Sequence, residues 1–214
     1  MFLYSFALSS ASYRVRIALK MKGIPFNLIN VNLAKNEDAL AEYLAINPQG
    51  LVPTLVDGSV ILSQSTAIIE YLDEVYNTTT LLPRNIDERV RVRSICQFIA
   101  CEMQPLTNVR VRRFLEKTHS SEYINDWNTH WVIDGLQKLD AYLANDANTG
   151  KYCHGDEPTM ADVYLVPQMA LARRFVPVLS QFKTLTRIEN NCLKLPAFTD
   201  EADGYIGTDF AVGQ

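Results

Sequence analysis

The sequence predicts a small α/β domain with a mixed four-stranded sheet, followed by an all-helical domain. Three observations carry this expectation. The chain opens strand, helix, strand, an order that implies a parallel pair joined by a right-handed crossover. A later pair of apolar runs flanks Asp57-Gly58, a dipeptide that favours a tight antiparallel hairpin. Beyond residue 86 the alternating strand signal disappears and only helical periodicity remains.

Length and composition agree. A chain of 214 residues with a 48% apolar content can build a sizeable core and suits two small domains. The net charge of −4, from 20 basic and 24 acidic residues, argues against a nucleic-acid partner, which would need a basic footprint. No apolar run reaches the roughly 18 residues of a membrane span, so no membrane partner is expected. The opening MFLYSFAL has neither the basic lead nor the cleavage site of a signal peptide. Cys96, Cys101, Cys153 and Cys192 show no CxxC spacing, and His119, His130 and His154 are scattered. No metal site is expected, and the cysteines read as reduced thiols of a cytoplasmic protein.

The elements follow in order. Residues 1–7 read as a strand, and Leu8-Ser9-Ser10-Ala11-Ser12 as a small polar break. YRVRIALKMKG reads as a helix with Val15, Ala18, Leu19 and Met21 inward and Gly23 as its stop. Residues 25–31 form a strand, and 36–46 a short helix ending near Asn47-Pro48. In the hairpin, Val52, Thr54 and Val56 face Val60 and Leu62. Pro53 gives up a ladder donor, so it belongs at an edge or at a strand end whose backbone is kept open.

From Gln64 the period becomes helical, with Ala67, Ile68, Tyr71, Leu72 and Val75 in phase. A helix start with Ser63, Gln64 and Ser65 in its first turn suits a carboxylate or phosphate. The alternative is that Ser63 caps the helix and Ser65 faces water. Residues 77–86 read as a linker between domains at 1–80 and 86–214.

Helices are expected over 86–116 with a bend at Pro105, over 121–145 on Trp127, Trp131, Ile133, Leu136, Leu139 and Leu143, and over 159–174 and 184–193. A short one at 196–202 precedes the aperiodic tail GYIGTDFAVGQ. Thr159-Met160-Ala161-Asp162 reads as a capping box that starts a buried helix, with aspartate in the usual glutamate position.

Several stretches together resemble the glutathione transferase superfamily, and within it the zeta class of maleylacetoacetate isomerases. They are SSASYRVRIALKMKGIPF (9–26), NPQGLVPTL (47–55), SQSTAIIEYL (63–72), LLP (81–83), QPLTN (104–108), GDEPTMADVYLVPQ (155–168) and ARRF (172–175). The zeta pattern Ser-Ser-Cys-Ser before Arg-Val-Arg-Ile-Ala-Leu is met at every position but one, Ala11 standing for the cysteine.

The resemblance implies a thioredoxin-like N-terminal domain, a helical C-terminal domain, a homodimer and glutathione as cofactor. It implies a cis Val52–Pro53 bond, with the Val52 N–H and C=O pairing with the glutathione backbone as one more strand. It also implies that Gln64 and Ser65 hold the γ-glutamyl carboxylate. Ser9, with Ser10 beside it and Ser12 following, donates to the sulfur at the start of the first helix, where the dipole favours thiolate. Read alone, Ser9–Ser12 cap that helix, and Gln104 and Asn108 are solvated; matched to the family, they become cofactor contacts together with Ala11.

The implied reaction is thiolate addition to a cis double bond conjugated with a carbonyl, rotation, and elimination to the trans isomer. Its substrate is a small dicarboxylate, so cations must hold carboxylates and spread enolate charge. Residues 81–117 carry eight Lys/Arg against four Asp/Glu. Arg110 and Arg174 are the candidates for substrate carboxylates, with Arg14 in the first turn of helix one as a catalytic candidate. Arg112, Arg113 and Arg173 read as solvated helix faces. The bacterial maleylpyruvate isomerases are a close relative, similar over NPQGLVP, CEMQP, FLEKT and ARRF and likewise without the cysteine. They carry arginine where this chain has Leu8 and histidine where it has Gln104, and Gln104 fits the maleylacetoacetate branch. A general transferase that conjugates or dehalogenates small electrophiles is the other alternative.

Overall fold

The computed structural model describes residues 1–76 and 78–199. The tail, and the last part of the helix expected at 196–202, lie outside the described residues. The chain forms two compact units, Met1–Leu81 and Leu82–Phe198.

The first unit runs β1 (Phe2–Ser5), α1 (Ser10–Met21), β2 (Asn27–Asn30), α2 (Ala41–Leu44), β3 (Thr54–Asp57), β4 (Val60–Ser63) and α3 (Ser65–Val75). The sheet order is β2-β1-β3-β4. β1 runs parallel to β2 and antiparallel to β3, and β3 and β4 form the hairpin. Leu3 pairs with Leu55 across the centre, and both are fully buried. α1 packs against α3, and Val15, Ala18, Leu19, Ile68, Ile69 and Leu72 join the core.

Local readings shift in four places. The hairpin loop is Gly58-Ser59, because Asp57 still pairs with Val60. Gly58 sits at φ +59°, in the first loop position, where glycine meets no Cβ penalty. Pro53 precedes β3 rather than lying inside it, and the Val52–Pro53 bond is cis.

The helix expected at 36–46 is broken. A 3-10 turn at Glu37–Ala39 and the single turn of α2 are separated by extended Leu40, and left-handed Asn36 precedes them.

The buried face of α3 is Ser65, Ile68, Ile69 and Leu72, while Ala67 and Val75 are exposed. Tyr71 instead donates its hydroxyl to Asp57, as does Tyr76, at 3.1 and 2.6 Å. The Asp57 bond pushes the Tyr76 hydroxyl pKa up to about 12.

Finally, α1 is buried on every face from Ser12 to Leu19, not on one stripe.

The second unit is helical: α4 (Ile86–Gln97), a π turn (Phe98–Met103), a 3-10 turn (Gln104–Thr107), α5 (Val109–Leu115), α6 (Ser121–Ala144), α7 (Met160–Ala172) and α8 (Lys183–Cys192). The helix expected over 86–116 is therefore interrupted rather than bent. Pro105 has no N–H to continue the ladder, and extended Asn108 restarts the chain as the α5 N-cap. The Trp127 indole donates to the Leu106 carbonyl at 2.8 Å and ties α6 to this break. Gly135 admits the Met103 side chain, which would lie 2.8 Å from a Cβ there. α7 is buried along nearly its whole length and begins with the expected capping box. Among the described residues, no helix is long and apolar enough to cross a membrane.

Candidate functional site

In the first unit, strand register gathers the predicted residues. β1 and β3 are antiparallel with Tyr4 opposite Thr54, so the end of β1 and the start of β3 share one end of the sheet. Thr54 also pairs with Ser63, which brings the start of α3 to the same end. Ser9, Val52-Pro53 and Gln64-Ser65, far apart in sequence, thus converge.

Ser9 is the N-cap of α1, and its hydroxyl oxygen accepts from the Ser12 N–H at 3.2 Å. Capping uses the oxygen and leaves the hydroxyl proton to give. Capping and thiol activation are therefore compatible roles of one side chain. Ser9 and Ala11 are half-buried, whereas Ser10 and Ser12 are buried, and Ser12 Oγ accepts from the Phe6 N–H at 3.5 Å.

The loop before Ser9 is held by Arg16, a residue the sequence reading did not single out. Its guanidinium donates to Ser5 Oγ at 2.9 Å, the Phe6 carbonyl at 3.5 Å and the Ala7 carbonyl at 3.3 Å. A charged residue inside an apolar helical run was the one sequence signal of this anchor.

Among the described residues, no backbone hydrogen bond engages the Val52 N–H or C=O. The turn before it is fixed instead from its far side. Tyr43 Oη and Asn47 Nδ2 both donate to the Leu51 carbonyl, at 2.6 and 2.8 Å. Both also contact Thr54 Oγ1, at 2.8 and 3.0 Å. Burial pushes the Tyr43 hydroxyl pKa up, so it stays a donor at neutral pH. Tyr43 was also missed, because its partners depend on the turn and not on helical period.

Ser63 does not cap α3; it ends β4, and the N-cap is Gln64 with no side-chain capping bond. Gln64 has φ +72° and ψ +118°, a conformation costly for a non-glycine residue and concentrated at binding sites. Its amide donates to Gln49 Oε1 at 2.6 Å. Ser65 is buried, and Arg14 Nη1 donates to its Oγ at 3.5 Å, adding positive charge beside the helix N-terminus. An open strand end, an uncapped helix start beside a buried guanidinium, and a half-buried hydroxyl fit a tripeptide thiol with two carboxylates.

The second unit holds the other candidates. Gln104 opens the 3-10 turn, and Asn108 caps α5 by accepting from the Arg110 N–H at 3.0 Å. Arg110 is exposed, while Arg174 is half-buried just beyond α7.

Of the arginines read as solvated, Arg173 is exposed but paired, and Arg112 is half-buried. Arg173 donates both terminal nitrogens to Glu189, at 2.6 and 2.5 Å, and that carboxylate is only 1% exposed. Arg112 is half-buried, and burial pushes its pKa below the usual arginine range. Glu116 opposes that shift, and the charges of Arg174 and Arg113 reinforce it.

The four cysteines are thiols, not disulfides. Burial pushes Cys153 and Cys192 well up, which keeps them protonated and unreactive.

Comparison with known proteins agrees with this geometry. Residues 3–80 match the family model described as glutathione S-transferase, N-terminal domain. The chain is 42% identical over 198 residues to a maleylpyruvate isomerase of a Ralstonia species, covering 92% of this chain and 93% of the relative. It is 40% identical over 200 residues to the maleylacetoacetate isomerase of Pseudomonas aeruginosa, covering 92% of each.

The holo structure of a maleyl pyruvate isomerase, a bacterial glutathione S-transferase in the zeta class, superposes with a TM-score of 0.92 at 40% identity. It covers 98% of this chain and 100% of that one. A maleylacetoacetate isomerase from Methylobacterium extorquens AM1, with bound malonate and glutathione, gives 0.90 at 36% identity, with 92% and 94% covered. The chain belongs to the glutathione S-transferase superfamily, in its zeta class.

Proposed function

We propose that the protein is a glutathione-dependent cis–trans isomerase that converts maleylacetoacetate to fumarylacetoacetate in the catabolism of tyrosine and phenylalanine. The observation that carries this reading is the convergence of Ser9, the open Val52 backbone and the uncapped Gln64-Ser65 helix start at one end of the sheet. When bound there, glutathione supplies the thiolate that adds to the double bond and leaves again after rotation.

The chain's own groups do the rest. Ser9 donates its proton toward the sulfur and lowers the thiol pKa, with Ser10 and the dipole of α1 in support. Arg14 adds positive charge at the α3 start. Val52 extends the strand to the tripeptide backbone, and Gln64 and Ser65 hold its γ-glutamyl carboxylate. Ala11, Ser12, Gln104 and Asn108 complete the cofactor contacts. Arg174 and Arg110 take substrate carboxylates, and residues 1–80 and 86–214 act as the cofactor and substrate domains. The protein works as a homodimer, and its four free thiols support a reducing compartment such as the cytoplasm.

The second reading is a maleylpyruvate isomerase, favoured by the 42% identity to the Ralstonia enzyme. It differs only in the length of the keto acid. One assay separates the readings: purified protein with each maleyl-keto acid, following isomerisation and glutathione together. Turnover of maleylacetoacetate at constant glutathione is expected, with kcat lower by about 10²-fold or more in Ser9→Ala. Absence of isomerisation with glutathione present overturns the proposal. Stoichiometric loss of glutathione marks a conjugating transferase instead.

A further inference from the structure

We propose that Arg112 is a specificity-determining residue that seats a carboxylate of the substrate together with Arg174. The inference rests on the dicarboxylate-isomerase reading above and adds a residue that the sequence places on a solvated face. Three observations support it. Arg174 and Arg113 act on Arg112 as like charges, while Glu116, one turn on and exposed, acts on it as an opposite one. The Arg112 Nε is buried and meets no acceptor among the described residues. The guanidinium forms no ion pair among those residues either, whereas neighbouring Arg173 is held by both terminal nitrogens on Glu189.

A half-buried cation with a buried donor left unmet is costly unless an acceptor is to arrive. A carboxylate reaching Arg112 would satisfy Nε and a terminal nitrogen as a planar pair. A monoanionic or uncharged electrophile would leave Nε unmet once its single charge is used elsewhere. The arrangement therefore selects for dianionic acids.

The test uses full-length protein saturated with glutathione and titrated calorimetrically with malonate as the dicarboxylate probe. Arg112→Gln is expected to weaken malonate about tenfold and to raise the KM for the maleyl-keto acid by a similar factor. Its kcat is expected to stay within about twofold of wild type. Arg112→Lys, which keeps the charge but not the planar fork, is expected to fall between. Glutathione affinity is the control for an intact fold.

Equal malonate affinity in wild type and Arg112→Gln, or no malonate binding by wild type, overturns the proposal. Should Arg112→Gln not fold, phenylglyoxal labelling of wild type decides. Protection of Arg112 by malonate supports the seat, and equal labelling with and without malonate overturns it. Failure of the isomerase reading appears separately, as absent turnover of both keto acids with malonate binding still measurable.

Discussion

Two helices of this protein begin in opposite ways. α7 starts closed. The Thr159 hydroxyl accepts from the Ala161 N–H, and the fully buried Asp162 carboxylate accepts from the Thr159 and Cys153 N–H groups, both at 2.8 Å, and from the Thr159 hydroxyl at 3.1 Å. α3 starts open, on a strained Gln64 whose side chain caps nothing. The first arrangement uses its capping groups in bonds within the protein, for stability. The second withholds a cap and tolerates strain, which leaves backbone donors for a ligand. The same local rule, that helix starts need acceptors, is met by side chains at α7 and by no capping side chain at α3.

Breaking the closed start should have the largest effect. Asp162→Ala strands two buried backbone donors and the Thr159 hydroxyl, at about 1–3 kcal/mol for each orphaned group. A loss of about 3–5 kcal/mol in urea-unfolding free energy is the expected result; a loss under about 1 kcal/mol would mean that α7 does not depend on its cap.

The arginines offer a parallel contrast. Arg173→Ala leaves Glu189 as a buried, uncompensated carboxylate and should cost about 3 kcal/mol in the same measurement. Arg112→Gln removes a cation that its neighbours repel, so its stability should stay within about 1 kcal/mol of wild type.

The open start is sharpened by Gln64→Gly. Relief of the positive φ should stabilise the protein by about 1 kcal/mol, while the loss of the side chain weakens glutathione binding. Opposite signs in denaturation and calorimetry would identify strain kept for binding.

The smallest effect concerns acid stability. The Arg91 hydrogen bond, helped by the Asn148 N–H, holds the Asp146 carboxyl down to about 2. A depressed carboxyl pKa contributes stability above the unfolded value near 4, and that stability is lost as pH falls through about 2. Asp146→Asn should flatten the acid limb of the stability curve between about pH 4 and 2, lowering stability at pH 7 and leaving it nearly unchanged below about pH 2.

Much of this was legible in the residues. Thr159 and Asp162 stand at the spacing of a capping box, and the box is there. The strand–helix–strand opening gives a parallel pair, and the second apolar pair gives an antiparallel hairpin, because residue spacing maps directly onto backbone geometry. Ser9, Val52 and Gln64 were singled out through matched motifs, and strand register brings them to one end of the sheet. What escaped was anything whose partner lies far along the chain. Tyr43 and Asn47 support the Val52 turn, Arg16 anchors the Ser9 loop, and Arg173 neutralises Glu189; none of these bonds follows from local spacing.

The amino-acid order alone determined the succession of the main elements, which way the strands run, and which superfamily the chain joins. Each of these depends on residues near one another in sequence or on a pattern of motifs. Only tertiary structure decided that Arg173 is paired with Glu189, that Arg16 anchors the loop before Ser9, and that Tyr43 and Asn47 hold the turn before Val52. Charge and hydrogen-bond partnership fall off over a few ångströms, and distances that short between remote residues exist only once the chain has folded.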